Sequence, residues 1–499
     1  MLVLLYGLFI FGSAIYFFLT WNNKHWEKRG LPFVEPNLFS GNFPSLLTQK
    51  RNIAYDYEDL YNKFKGKFSV AGIFSMRQPQ YFITDADVAK DILISKFKNF
   101  HDNEFADMID KKKDPIFGNN PFMLKGQEWK EKRAEITPAF TQLRLKAMYP
   151  VIDDVGNRLK KFLLREKHQA IDARDLAENF TTDVVSSCIF GADAGALSGN
   201  KSPIKEMGKN ILGFTPKIII YFILSQVIPS LKKYVKIGFV PKHVEEFFVK
   251  LTKDAIVLRN KSSTIRDDYL TYLLELRAKK NLSDTQMTSH AISFFTDGFI
   301  TSSVVLAFAL YELARSKDAQ YKLRKEIRET IEKHGQITFE LVQDMPYLEQ
   351  VMSENLRLNP PLAFITKVCT ESCELPLTEN KMVPVEKGYN VILPMRSIQR
   401  DPRYFEKPEE FIPERFAPEK GGTKIYKDKG AFLAFGDGPR ICLGMRFAQT
   451  QIKVAIAAIV QNFEVTLDPR TAINPVLHPK EVIPTIIGGI WLRFKELKE

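Results

Sequence analysis

Phe435-Gly-Asp-Gly438-Pro-Arg440-Ile-Cys442-Leu-Gly444 places a cysteine where a glycine-punctuated loop runs into a predicted helix. At that point the helix dipole and free N–H groups stabilise a thiolate, the form of cysteine that binds a metal. Gly436 and Gly438 let the backbone turn tightly beside a flat macrocycle. Arg440, two residues before the cysteine, is placed to pair with a carboxylate on the edge of such a group. Gly444 and Ala448, one turn apart, let the helix pass close beneath it. The stretch therefore fits a haem held through the sulfur of Cys442. An apolar-flanked cysteine alone is usually an inert core residue. The reading rests on Phe, Gly, Arg, Cys and Gly agreeing in offset.

Other spacings add to this. Glu354 and Arg357 are three apart and share one helix face. Glu312 and Arg315 have the same form and are read as coincidence. The first pair is preferred because Asn359-Pro360-Pro361 ends its helix and Pro413-Glu414-Arg415-Phe416 follows. Trp129 and Arg133 lie one helical turn apart and face the same way. Asp297-Gly298-Phe299-Ile300-Thr301 forms a polar notch in an apolar run, with Asp297 and Thr301 on one face. Cys188, Cys369 and Cys373 suggest neither a disulfide framework nor a zinc site, so a reducing compartment is the simpler reading.

These residues need elements to hold them. Apolar residues at three-to-four spacing predict helices over Asp153 to Leu164, Asp318 to His334 and Met445 to Phe463. Phe68 to Phe74 and Tyr81 to Thr84 read as a hairpin across Gln78-Pro79. Lys381 to Val385 and Asn390 to Leu393 read as another across Glu386-Lys387-Gly388. Ala291 to Ala314 is long enough to span a membrane, but a mid-bilayer acid is costly, so it reads as a buried core helix. Ile211 to Leu231, broken by Pro216, Lys217 and Pro229, reads as short segments dipping into a membrane surface. Hydrophobic residues at 45% exclude bulk disorder, and 39 phenylalanines predict an aromatic core. The net charge of +12 is diffuse, without the basic clusters and stacking aromatics of a nucleic-acid binder.

Leu2 to Leu19 carries no charge and as a helix would be about 27 Å long, enough to cross a bilayer. No basic segment precedes it and no small-x-small cleavage site follows before Trp21, which favours an anchor over a cleaved signal. Lys24, Lys28 and Arg29 after the run place the body of the protein in the cytosol. The expected organisation is an anchor over residues 1–21, a basic, proline-containing hinge over 22–36 and a catalytic domain over 37–499. The fold class is mainly α: one large helical domain with a small β region, plus one N-terminal transmembrane helix.

Phe435 to Gly444 matches without departure the haem-ligand signature of the cytochrome P-450 family, Phe-x-x-Gly-x-Arg-x-Cys-x-Gly, and the chain resembles that family from Pro32 to about Phe494. The resemblance implies haem b with Cys442 as iron ligand, and Phe435, Gly438 and Gly444 around it. It implies propionate contacts from Trp129, Arg133, Arg440 and Lys367, the last standing where many members have arginine. It implies a structural triad of Glu354, Arg357 and Arg415. In the central helix it implies that Gly298 opens the oxygen side and that Thr301 serves oxygen activation. Ile300 replaces the acid that family members commonly carry before that threonine, so Asp297 or an ordered water is expected to relay protons. Asp297 capping a distortion of the helix is the plain alternative.

The implied activity is insertion of one oxygen atom from O2 into a lipophilic substrate. Electrons would come from NADPH through a membrane-bound reductase docking near Lys130 and Lys132, with cytochrome b5 as an optional second partner. The location would be the endoplasmic reticulum membrane, with lipid as a further partner. Expected substrate contacts are Phe100 to Met123, Leu212 to Phe222, Phe294 to Thr301, Leu362 to Thr366 and Val482 to Ile487. Phe294-Phe295-x-x-Gly298-Phe299-x-Thr301-Ser302 most resembles insect microsomal members of the detoxification type, which implies xenobiotics ahead of steroid- or lipid-like substrates. A haem-thiolate isomerase or dehydratase, which needs no reductase, and a catalytically silent haem or lipid binder are the rival readings.

Overall fold

The computed structural model describes residues 1–211, 215–262 and 266–497. Counting the helices that bear on the site, these are α1 (Leu2–Thr20), α2 (Ala86–Leu93), α3 (Gly126–Ile136), α4 (Gln142–Glu166), α5 (Ala173–Phe190), α6 (Pro216–Val227), α7 (Asp284–Arg315), α8 (Lys317–His334), α9 (Pro346–Leu358) and α10 (Met445–Asn462). The helices expected over Asp153 to Leu164 and Asp318 to His334 fall within α4 and α8, and that over Met445 to Phe463 is α10, which stops one residue earlier because Phe463 opens β8. Each strand is short: β1 (Val70–Ser75), β2 (Gln78–Ile83), β3 (Ile171–Asp172), β4 (Ile365–Val368), β5 (Cys373–Thr378), β6 (Lys381–Val385), β7 (Asn390–Leu393), β8 (Phe463–Leu467) and β9 (Trp491–Glu496). The architecture is mainly α, as expected.

α7 is the spine. Ser283 and Gln286 close a capping box at its start, satisfying N–H groups that a helix end leaves open. It packs along α5 and also meets α9 and α10. Of its most apolar 18-residue window, 83% is buried, which makes it a core helix even though its length and hydropathy would suffice to cross a membrane. α1 also passes that test, and its residues are exposed.

The strands correct two expectations. β1 and β2 do form a hairpin, but it turns at Met76-Arg77, where Met76 has φ of 52°, and Gln78-Pro79 lie inside β2. The pairing Pro79↔Phe74 puts the proline at one end of the ladder. β6 and β7 have the expected bounds but do not pair. β6 pairs with β5, while β7 lies between β2 (parallel) and β4 (antiparallel) in a sheet of order β1-β2-β7-β4. A Gly-containing turn between two apolar runs fixes the bend and leaves the partners open.

The segment after α1 is docked. Trp26 is fully buried, its Nε1 donates to Ile73 O at 3.0 Å, and a Cβ on Gly72 would sit 2.3 Å from its ring. Arg29 pairs with Glu386 at 2.9 Å. At the end of α1, Phe18 lies under the Arg77 guanidinium at 3.6 Å, and Arg77 Nη1 donates to the O of Val227, the last residue of the apolar α6, at 2.9 Å. α6 turns Ile219, Ile220 and Leu224 outward, and Ile228 extends this exposed surface. Between Ile211 and Leu231 the described residues form the short helix α6, and a four-residue helix starts at Leu231, with residues 212–214 outside the described set.

Candidate active site

α10 begins at Met445 with Gly444 as its N-cap, so Cys442 stands in the turn just before the helix. The loop closes through Cys442 N–H donating to Phe435 O at 2.8 Å. Gly438 has φ of +67°, and a Cβ there would come within 2.0 Å of Leu93 O at the end of α2. That glycine is therefore required by packing against α2. Gly436 and Gly444, by contrast, have open space where a Cβ would stand, which leaves room for a broad flat group.

Cys442 is accessible to solvent although it belongs to the interior of the fold. Burial pushes its thiol up to about 11, countered in part by the Gly444 N–H and by Arg133. Across from it the wall of α7 is buried except at Asp297, Ile300 and Thr301. Asp297 is likewise accessible, and burial pushes its carboxyl up to about 7. Its charge also acts on Cys442. Accessible groups whose ionisation is governed by burial mark an internal hollow between α7 and the Cys442 turn.

Three cations gather on the Cys442 side. Arg133 Nη2 donates to Ile441 O at 2.7 Å, tying α3 to the residue beside Cys442. The Arg440 guanidinium lies 4.3 Å from the ring centre of Trp129, and its Nη2 donates to Leu124 O at 2.9 Å and to Asp102 Oδ1 at 3.2 Å. Lys367, on β4, is 5% exposed, and burial together with Arg440 brings its ammonium down to about 8. Burial also lowers Arg440 to about 10, and its Nε has no partner. Asp102 is the acid acting on both Arg440 and Lys367, and a cluster so short of negative charge is built to receive an anion. Sulfur, open glycine face and cation cluster together fit a haem with its two carboxylates.

Asp102 escaped the sequence reading. It also accepts from the Gly126 N–H at 2.9 Å and from His101 at 2.7 Å, while its carbonyl accepts from Val368 N–H at 2.9 Å. It stands 338 positions from Arg440, and no local pattern marks it.

Glu354, Arg357 and Arg415 meet as expected. Glu354 is fully buried and receives Arg357 Nε at 2.7 Å, Arg357 Nη2 at 2.8 Å, Arg415 Nε at 3.0 Å and Ile412 N–H at 2.9 Å. Arg357 donates further to the carbonyls of Gln399, Pro408 and Glu410. This knot fixes the chain that leads to the Cys442 loop. Glu312 accepts from Asn359 Nδ2 at 3.0 Å and lies 3.4 Å from Arg315.

On α7 the structure redraws two expectations. Gly298 faces α5, where a Cβ would meet Val185 Cγ1 at 3.3 Å, so it serves helix packing and not the oxygen side. Its carbonyl accepts from Gln451 Nε2, which also bonds Ser302 Oγ at 2.9 Å, joining α7 to α10. The helix runs unbroken through Asp297, which leaves no interruption there for it to cap. Thr301 Oγ1 donates to Asp297 O at 2.5 Å. Lys130 is exposed, whereas Lys132 is held by Glu135 at 2.8 Å.

Among the expected substrate segments, Met108, Ile109, Phe117 and Met123 form a small apolar cluster with Ile218 and Tyr221 of α6. Leu212, Gly213 and Phe214 lie outside the described residues. Leu362, Val482 and Ile487 are exposed.

A family model described as cytochrome P450 matches residues 31–492. The chain is 40% identical over 490 residues to "Probable cytochrome P450 28d1" of Drosophila melanogaster, covering 97% of each chain. It is 33% identical to cytochrome P450 6j1 of Blattella germanica, over 96% of this chain and 95% of that one. It is 32% identical to cytochrome P450 6a2 of Drosophila melanogaster over the full length of both.

Proposed function

This chain belongs to the cytochrome P450 family of haem-thiolate monooxygenases, and on that premise we propose that it oxidises lipophilic small molecules with Cys442 as its iron ligand. The observation that carries the assignment is the accessible Cys442 facing the hollow, beside the cation cluster of Arg133, Arg440 and the buried Lys367. When bound, haem supplies the redox chemistry that activates O2, so that one oxygen atom enters the substrate and the other leaves as water.

The protein's own residues supply the rest. Arg133, Arg440 and Lys367 take the haem carboxylates, and the Trp129 ring packs against the Arg440 guanidinium. Thr301, by releasing the Asp297 carbonyl, offers its hydroxyl to the oxygen side. Asp297 carries the proton that an acid at position 300 would otherwise bring. The walls that exclude water are Ile300 of α7 and the apolar cluster under α6.

The reductase docks on the face around Lys130, with cytochrome b5 as an optional partner. α1 anchors the protein in the endoplasmic reticulum membrane with the catalytic body in the cytosol. The similarity to insect relatives favours xenobiotic substrates. Ile300 favours a second reading, a haem-thiolate isomerase or dehydratase that needs no proton relay.

The reduced carbon-monoxide difference spectrum tests the ligand. Wild type is expected to give the haem-thiolate band and Cys442→Ser to lose it; a band that persists in the variant overturns the assignment. Product that requires NADPH, reductase and O2 supports the monooxygenase. Product formed without them establishes the isomerase, and no product at all leaves a silent binder.

A further inference from the structure

The hollow is lopsided in charge. Arg133, Arg440 and Lys367 gather on the side of the Cys442 turn, around Asp102. On the α7 side the accessible groups are Asp297, Ile300 and Thr301, one carboxylate among apolar and hydroxyl groups. Among the described residues no cationic side chain acts on Asp297. Burial raises its carboxyl, and the Asn120 amide is the one group that lowers it. Asn120 is 1% exposed. Its Oδ1 is committed to the Phe122 N–H at 2.8 Å, and its Nδ2 has no partner at hydrogen-bond distance. The Asn120 amide therefore has Asp297 as its nearby acceptor, and a carboxylate without a counter-charge in such a wall is costly unless a ligand supplies one.

We infer that Asp297, steadied by Asn120, selects substrates that carry a cationic nitrogen on a lipophilic frame. The inference rests on the hollow being the substrate side of the proposed monooxygenase. The carboxylate pairs with the cation, the Asn120 amide approaches the carboxylate, and the frame lies against Ile300. A substrate cation supplies the charge that the protein omits on this wall. The two duties of Asp297 separate by substrate: with a cationic one its carboxylate stays ionised as an anchor, and with a neutral one it is protonated and carries the proton.

The test uses the holoprotein and two probes of equal shape: a phenylalkyl trimethylammonium ion and its tert-butyl carbon isostere. The quaternary nitrogen has no lone pair, so it cannot bind iron. Calorimetric titration is expected to show wild type binding the cation about fivefold tighter than the isostere. Asp297→Asn is expected to weaken the cation about tenfold and to leave the isostere within about twofold. Asp297→Glu, which keeps the charge, restores the preference for the cation. An isostere that binds wild type as tightly as the cation overturns the inference, and needs no variant to fold. So does an Asp297→Asn effect of equal size on both probes. The carbon-monoxide spectrum of the same samples separates the two readings: a normal thiolate band with no cation preference sinks this inference alone, and a missing band in wild type sinks the function it rests on.

Discussion

Replacing Glu354 with alanine removes the acceptor of four hydrogen bonds from a site with no access to solvent. Two guanidiniums remain, Arg357 fully buried and Arg415 7% exposed. Breaking a buried ion pair from one side costs about 3–5 kcal/mol, because the orphaned charge stays desolvated. For 499 residues the unfolding entropy near the midpoint is roughly 1 kcal/mol per degree, so the melting temperature should fall by about 3–5 °C. Arg415→Ala should cost less than half of that. It gives up one 3.0 Å contact to Glu354 and a 3.3 Å contact to Lys407 O, and leaves Glu354 its bidentate partner. The assay is thermal unfolding followed together with loss of the carbon-monoxide thiolate band, since the knot lies on the chain leading to Cys442. A Glu354→Ala protein melting within about 1 °C of wild type would refute the reasoning. An Arg415→Ala effect as large as that of Glu354→Ala would refute it too.

Further outcomes are expected. Lys130→Ala should slow reduction by the reductase and flatten its salt dependence, while Lys132→Ala should do so less, because Glu135 already holds that ammonium; equal effects would contradict this. Asn281-Leu-Ser283 is a glycosylation sequon with its asparagine exposed at a helix end. With the body in the cytosol it stays unmodified in insect cells, and a glycosidase-sensitive mass shift would invert the topology. Asp297→Asn should raise peroxide leakage per NADPH with neutral substrates, and unchanged coupling would remove the residue from proton delivery. Burial raises the Asp297 carboxyl to about 7, so the folded state holds a proton that the unfolded chain releases from about pH 4 upward. The stability of wild type relative to Asp297→Asn should therefore decline from about pH 4 to 7 and level off above, as read from paired melting curves.

What could be read from the sequence was whatever a short spacing encodes. The Cys442 loop, the Glu354–Arg357 face and the Trp129–Arg133 turn are each decided within ten residues. α7 was legible as a core helix because an acid at its centre argues against lipid. Contacts between distant segments were not legible. Asp102 reaches Arg440, and Gln451 reaches Gly298, across separations that leave no periodic trace. β6 and β7 have the composition of a hairpin, yet the partner of each is set by the sheet around it. Gly298 shows that a motif residue can be placed correctly while its direction is not, since facing α5 or facing the hollow is a matter of helix rotation in the packed core.

The clasp of Phe18, Arg77 and Val227 bears on how the body would sit against the membrane that α1 is proposed to cross. An anchor joined to a body by a free linker lets the body tumble, and any face meets the lipid only part of the time. Here the last turn of α1, the β1–β2 turn and the end of α6 are one contact, and Trp26 pins the segment after it. Were α1 to stand upright in a bilayer, as proposed, the body would be moored rather than leashed, and the outward apolar side of α6 would have a fixed position relative to the lipid. Under the proposed anchoring, solutes dissolved in the hydrocarbon would arrive by lateral diffusion in two dimensions, and uptake would follow their partition into lipid more than their concentration in water.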